Sequence, residues 1–133
     1  EYVDAWVEYM LDYLQAYQAG GVTVKAVTVQ NEPLHSQDAA WTMYANATLQ
    51  STMVSRLSAA LKSSNLGTQI WAYDHNTDRP DVPQYILDNA GHDAVDAIAW
   101  HCYSGGKTWP PMTDFHSKNP EVKQYMTECW THI

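Results

Sequence analysis

Two spacings of apolar residues alternate along the chain. From Glu1 to Ala19, the residues Val3, Trp6, Val7, Met10, Leu11, Leu14 and Tyr17 recur every three or four positions. That period predicts a helix with one buried stripe. Gly20-Gly21 ends it, because glycine accepts the left-handed conformation at a helix end. The β-branched run from Val22 to Gln30 then reads as a buried strand, stopped by Asn31-Glu32-Pro33. A polar loop over Leu34 to Asp38 leads to a second helix, about Ala39 to Ser63. Asp38 is its expected cap, and Trp41, Tyr44, Leu49, Met53, Val54, Leu57 and Leu61 lie near one face. Gln69 to Tyr73 is the second strand, followed by Asp74-His75-Asn76. A short helix, about Val82 to Asn89, precedes a third strand, Ala94 to Trp100, followed by His101-Cys102-Tyr103. The turn Ser104-Gly105-Gly106 opens a loop through Pro111. A helical piece from Met112 to Ser117 comes before the fourth strand, Lys123 to Thr127, which delivers Glu128.

Strict alternation of helix and strand with short connections implies an α/β fold with a parallel sheet and right-handed crossovers. Polar residues follow every strand: Asn-Glu, Tyr-Asp-His-Asn, His-Cys-Tyr and Thr-Glu. An open doubly wound sheet concentrates its site at one switch point. Polar strand ends on one rim fit a (β/α)8 barrel better, since all its strands encircle one site. Four strands make half of such a barrel, which needs roughly 200 residues or more. The 133 residues are therefore expected to form one incomplete domain, residues 1–133, from a longer protein.

Composition narrows the function. The net charge of -8 argues against nucleic acid, whose phosphates want clustered Lys and Arg, and against an anionic membrane surface. No stretch is long and apolar enough to span a membrane, so no obligatory membrane contact is expected. Six Trp and nine Tyr stand beside a single Phe. Rings with an apolar face and a polar edge suit sugars, although packing is the competing role for each of them. Asn46-Ala47-Thr48 is a glycosylation sequon.

The chemistry centres on two glutamates, Glu32 and Glu128, each closing a strand. A carboxyl pair at one rim is the minimal kit for glycoside hydrolysis, one as proton donor and the other as nucleophile or base. Retaining chemistry needs the two carboxyl groups about 5–5.5 Å apart, and inverting chemistry about 6.5–9.5 Å. No histidine pair or Cys-x-x-Cys has metal-ligand spacing, so no metal is expected. No serine sits in a G-x-S-x-G setting and no Gly-rich phosphate loop exists, so no cofactor is expected either. Side chains alternate along a strand. If Glu128 faces the site, Cys129 and Cys102 both point away from it. The simplest reading is two buried thiols under the helices, with a disulfide between them left open.

The set Gln30-Asn31-Glu32-Pro33-Leu34, Tyr73-Asp74-His75-Asn76, Ala99-Trp100-His101-Cys102-Tyr103 and Met126-Thr127-Glu128-Cys129 resembles glycoside hydrolase family 30. The likeness is to the glucosylceramidase-like group, and most of all to its fungal secreted endo-β-1,6-glucanases and endo-β-1,6-galactanases. It covers essentially the whole chain. The resemblance implies strands four to seven of the barrel, a retaining mechanism, and secretion. It implies Glu32 as acid/base and Glu128 as nucleophile. It places Asn31 at the sugar 2-hydroxyl, His101 and Tyr103 beside the nucleophile, and Asp74 and His75 on the same rim. A hydrogen bond from Tyr103 would hold Glu128 ionised and oriented. Trp100, Trp109 and Trp130, at or just past strand ends, are candidates for stacking on sugar, with packing the competing role for each. A structural histidine is the competing role for His75 and His101. The expected partner is a polysaccharide or glycoside: β-1,6-glucan, β-1,6-galactan, or a glucosylceramide-type β-glucoside. The alternatives are a non-catalytic carbohydrate-binding protein and an inactive barrel piece.

Overall fold

The structure, a computed structural model, describes residues 2–35, 43–103 and 109–130. Its elements are α1 (Tyr2–Ala19), β1 (Ala26–Thr28), α2 (Ala47–Ser64), β2 (Gln69–Asn76), α3 (Asp81–Ala90), a 3-10 turn (His92–Ala94), β3 (Ala97–His101), α4 (Trp109–Lys118) and β4 (Lys123–Glu128). The strands pair in parallel in the order β1-β2-β3-β4. Spatial order thus follows chain order with no reversal. That is how strands run round a barrel, whereas a doubly wound sheet has a switch point.

Each element begins and ends for a local reason. Gly21 takes a φ of 82° after α1, and the Val22 N–H bonds the Tyr17 carbonyl at 2.9 Å, closing the helix. Val22 is therefore spent on the helix end, and β1, which pairs with β2 alone among the described strands, is shorter than the apolar run suggests. Helix α2 starts at Ala47 and not near Ala39. Its cap is Asn46, whose side-chain oxygen accepts the Leu49 N–H at 2.9 Å. Asp38, the expected cap, lies outside the described residues, as do Trp41 and the turn over 104–106. Helix α4 starts at Trp109, three residues earlier than its apolar spacing implies. Pro110 and Pro111 sit in its first turn, where a missing N–H costs no helix bond.

Alternation along the strands sends Ile70, Ala72, Ile98 and Trp100 into the core with Val54, Leu57 and Leu61 of α2, Ile86 and Leu87 of α3, and Phe115 of α4. Trp100 is one of the largest wholly buried side chains. It stands edge-on between Tyr73 (ring centroids 5.2 Å) and Phe115 (5.6 Å), and its indole N–H donates to Gln124 Oε1 at 2.9 Å. It is therefore a packing residue. Trp71 stacks on Tyr125 at 4.1 Å across the alanines of β3.

Two registers slip, and both slips matter for the site. Between β2 and β3, Tyr73 pairs with Ala99 and His75 with Trp100, so Asp74 is an extra residue. Between β3 and β4, Trp100 pairs with Met126 and His101 with Glu128, so Thr127 is extra. A bulge re-aims the side chains around it and tightens the local twist.

The Asn46 cap yields a direct test. Asn46→Ala is expected to lower stability by about 1 kcal/mol, while Asn46→Asp, which keeps the accepting oxygen, stays close to the parent. Urea unfolding of a complete barrel carrying this chain would read both; equal losses would show that the cap bond does not matter.

Candidate active site

The C-terminal ends of all four strands converge on one carboxylate. Asp74 accepts from the Thr28 hydroxyl of β1 at 2.7 Å, and from the Thr127 hydroxyl of β4 at 2.7 Å. His101 of β3 places Nε2 3.1 Å from Asp74 Oδ1. The two bulge residues, Asp74 and Thr127, thus bond to each other. The backbone at Asp74 is left-handed, with φ 54°, after Tyr73 at 79°. Glu32 is left-handed too, at 43°. Such conformations cost about 1–3 kcal/mol each for residues with a side chain and persist only where the surroundings enforce them. Here the Glu32 N–H donates to the Asp74 carbonyl at 3.0 Å, so the two unusual turns hold each other.

His101 is wholly buried and stands between the acids. Its Nδ1 lies 3.1 Å from Glu32 Oε1 and 3.8 Å from Glu128 Oε2. Glu128 Oε2 accepts from the Tyr103 hydroxyl at 3.2 Å. Tyr103 is set by its own N–H, which donates to Asn76 Oδ1 at 2.8 Å. One carboxylate oxygen of Glu32, one of Glu128 and a His101 ring nitrogen all lie within 4.8 Å of one another. A tetrahedral ion with bonds of about 2.0–2.1 Å needs its ligand atoms roughly 3.3 Å apart. Both ring nitrogens of His101 already face carboxylates, so the arrangement fits a hydrogen-bonded network better than a metal centre.

Burial alone would raise the Asp74 carboxyl, but the bonds from His101, Thr28 and Thr127 outweigh it and hold it below the usual carboxylate range. Burial would likewise lower His101, yet the facing Asp74 and Glu32 carboxylates outweigh it and raise the imidazole above its usual value. His75 goes the other way: burial lowers it, and its Nδ1 is buried with no hydrogen-bond partner among the described residues. Desolvation, then the bond to Glu128, raises Tyr103.

The sequence-derived residues therefore divide. Glu32, Asp74, His101, Tyr103 and Glu128 meet in one network. Asp74 and His101 lie beneath the rim and not on it, because bulged β2 aims Asp74 inward among its neighbours. His75 is also buried. Asn31 is exposed at the rim, where its carbonyl accepts from Gln30 Nε2. Trp130 is 59% exposed, with its ring 6.3 Å from that of Tyr103.

The two thiols read as buried are instead joined as a Cys102–Cys129 disulfide, with Cα atoms 5.0 Å apart. The reason is register. His101 pairs with Glu128, so the next residue of each strand lies opposite the other, and the Cys102 N–H donates to the Glu128 carbonyl at 3.1 Å.

The Glycosyl hydrolase family 30 TIM-barrel domain matches residues 1–132. The chain belongs to glycosyl hydrolase family 30. It is 47% identical over 131 residues to an endo-1,6-beta-D-glucanase of Neurospora crassa, covering 98% of this chain and 27% of that protein. A putative glucosylceramidase 2 of Caenorhabditis elegans is 27% identical over 136 residues, covering 96% of this chain and 26% of that protein. The solved endo-beta1,6-glucanase BT3312 superposes with a TM-score of 0.86 at 30% identity, over 99% of this chain and 30% of that one. The four strands and their helices match part of a TIM barrel, and the chain spans about a quarter of the length of these curated relatives.

Sequence reasoning missed Thr28, Thr127 and Asn76, which hold Asp74 and Tyr103. Thr28 and Thr127 lie in strands close before the two glutamates, and hydroxyls there were the available signal.

A stability profile follows from the Asp74–His101 pair. The contribution of Asp74 is present above about pH 3.9 and is lost as pH falls through its lowered pKa. That of His101 is full below about pH 6.5 and is lost as pH rises through its raised pKa. Melting curves of a complete barrel with Asp74 and with Asp74→Asn should differ most between about pH 4 and 6.5. A difference that is constant with pH would rule out an electrostatic origin.

Proposed function

We propose that this chain forms the acid–nucleophile half of a retaining β-glycan hydrolase, with β-1,6-glucan as substrate. The observation that carries the reading is the meeting of Glu32 and Glu128 oxygens within 4.8 Å at one strand rim. Oxygens that approach this closely leave little room for the water that inversion places between the two groups, which supports double displacement. The names of the relatives at 47% and 30% identity support the β-1,6-glucan linkage over a glucosylceramide.

Each glutamate has one oxygen tied. Glu128 is tied through Oε2 to Tyr103, which leaves Oε1 to attack the anomeric carbon. Glu32 is tied through Oε1 toward His101, which leaves Oε2 to meet the leaving oxygen. In the first step the Glu128–carbon bond forms, the glycosidic bond breaks, and Glu32 gives its proton to the departing oxygen. In the second, water attacks the same carbon, Glu32 takes the water's proton, and Glu128 leaves. Asn31, exposed at the rim, is assigned to the sugar 2-hydroxyl. Trp130 and Tyr103, both exposed, are the aromatic residues assigned to stacking on sugar. The Cys102–Cys129 disulfide supports an oxidising, extracellular setting.

A complete barrel carrying this chain would be tested on β-1,6-glucan, β-1,6-galactan and glucosylceramide. Proton NMR of the first sugar released from β-1,6-glucan is expected to show the β anomer. Glu32→Gln is expected to lower turnover by about 10²- to 10⁴-fold. An α anomer, or full activity in Glu32→Gln, would overturn the assignment.

A further inference from the structure

Asp74 grips Glu32 twice. Its carbonyl takes the Glu32 N–H at 3.0 Å, and its carboxylate reaches the Glu32 side chain through His101. Resting on the reading above, we propose that Asp74 and His101 are a positioning pair. Asp74 keeps His101 doubly protonated, and the His101 Nδ1–H pins Glu32 Oε1 so that protons enter and leave Glu32 through Oε2.

The argument is one of donors and acceptors. An ionised carboxylate only accepts, and a neutral imidazole has one donor. His101 has a carboxylate oxygen 3.1 Å from each ring nitrogen. A neutral ring would set a lone pair against a lone pair on one side unless Glu32 itself carried the proton on Oε1. The imidazolium satisfies both sides. Its surroundings favour the charge: Asp74 from β2, Glu32 from the end of β1, and Glu128 from β4 with Oε2 at 3.8 Å. The other titratable groups nearby are Tyr103, with its ring 5.8 Å away, and His75, whose charge would oppose that of His101. His35 stands 3.8 Å from Glu32 Oε2, the untied oxygen.

Asp74 is suited to hold the ring fixed. Hydroxyls on two separate strands anchor its two oxygens at 2.7 Å each. It cannot rotate without breaking both bonds. The wholly buried ring of His101 cannot turn toward solvent or lie against a sugar. Its effect on chemistry therefore passes through Glu32, and it also offsets part of the repulsion between the two facing glutamates.

Two measurements on a complete barrel carrying this chain decide the matter. In the unmodified protein, nitrogen-15 NMR of labelled histidine should show both His101 ring nitrogens protonated at about pH 7, where a free imidazole is about three-quarters neutral. In Asp74→Asn, kcat on β-1,6-glucan should fall about tenfold or more with KM little changed. The alkaline limb of the rate profile should move toward acid by about half a pH unit or more, since it reports the coupled groups together. A neutral His101 at that pH overturns the proposal, and so does a lower rate with an unmoved limb, the signature of a merely structural Asp74. If Asp74→Asn does not fold, the nitrogen-15 titration of the unmodified protein decides alone. If no β-glycan is cleaved while His101 is doubly protonated, the functional reading fails and the charged network stands.

Discussion

Everything at the rim depends on one buried carboxylate. Asp74 is bonded to hydroxyls on β1 and β4 and faces an imidazole on β3, while its own strand is β2. A carboxylate buried this deeply would ordinarily be costly, because burial disfavours the charged form. Three polar partners at 2.7–3.1 Å make the charged form the favoured one. Evenly spaced backbone bonds set the register of the parallel strands. The Asp74 links add side-chain bonds to that register: they hold Thr28, His101 and Thr127 around one point, beside which Glu32 and Glu128 emerge.

The bulges make this possible. In a regular strand Thr127 and Glu128 would face opposite sides of the sheet, as would Asp74 and its neighbours in their unshifted places. One extra residue in β2 and one in β4 bring Asp74 and Thr127 within hydrogen-bond reach of each other, while His101 stays paired with Glu128. The positive φ values at Tyr73 and Asp74 are the backbone expression of the first bulge. Behind it, Tyr73, Trp100 and Phe115 meet edge to face, and the Tyr73 hydroxyl donates to the Asn76 carbonyl at 2.6 Å. Asn76 in turn fixes Tyr103. The aromatic wall and the polar rim are thus one connected structure, and a shift in the core side of β2 would be felt at Glu128.

Periodicity made the order of elements legible, along with their parallel arrangement and the glutamate that ends β4, because burial on one face leaves a strong pattern; β1 stops at Thr28, and Glu32 stands in the turn beyond it. The starts of α2 and α4 were not legible from apolar spacing. Asn46 caps α2 several residues after the apolar stripe starts in the sequence, and the prolines of α4 read as loop until they are seen in a first turn. The bulges were not legible either, since a period-two reading has no place for an extra residue. That is why Asp74 and His101 read as rim residues. The disulfide stood one step beyond the alternation argument. Alternation leaves the pairing of the cysteines open, and only the His101–Glu128 register shows that they lie opposite each other.

The network also explains why the two glutamates are not equivalent despite their similar positions. Glu32 turns in a left-handed residue held by Asp74, with its side chain only 22% exposed, while Glu128 follows the β4 bulge at the end of its strand with its side chain 45% exposed. The partner of Glu32 is a buried imidazole that cannot leave. The partner of Glu128 is a Tyr hydroxyl on a ring 38% exposed. On the proposed reading, this asymmetry suits the division of labour. A residue that must give and take a proton in successive steps needs a fixed carboxyl plane beside a charge that can answer its own. A nucleophile that becomes covalently bound needs a lighter hold, from a neutral hydroxyl whose bond survives the loss of its charge.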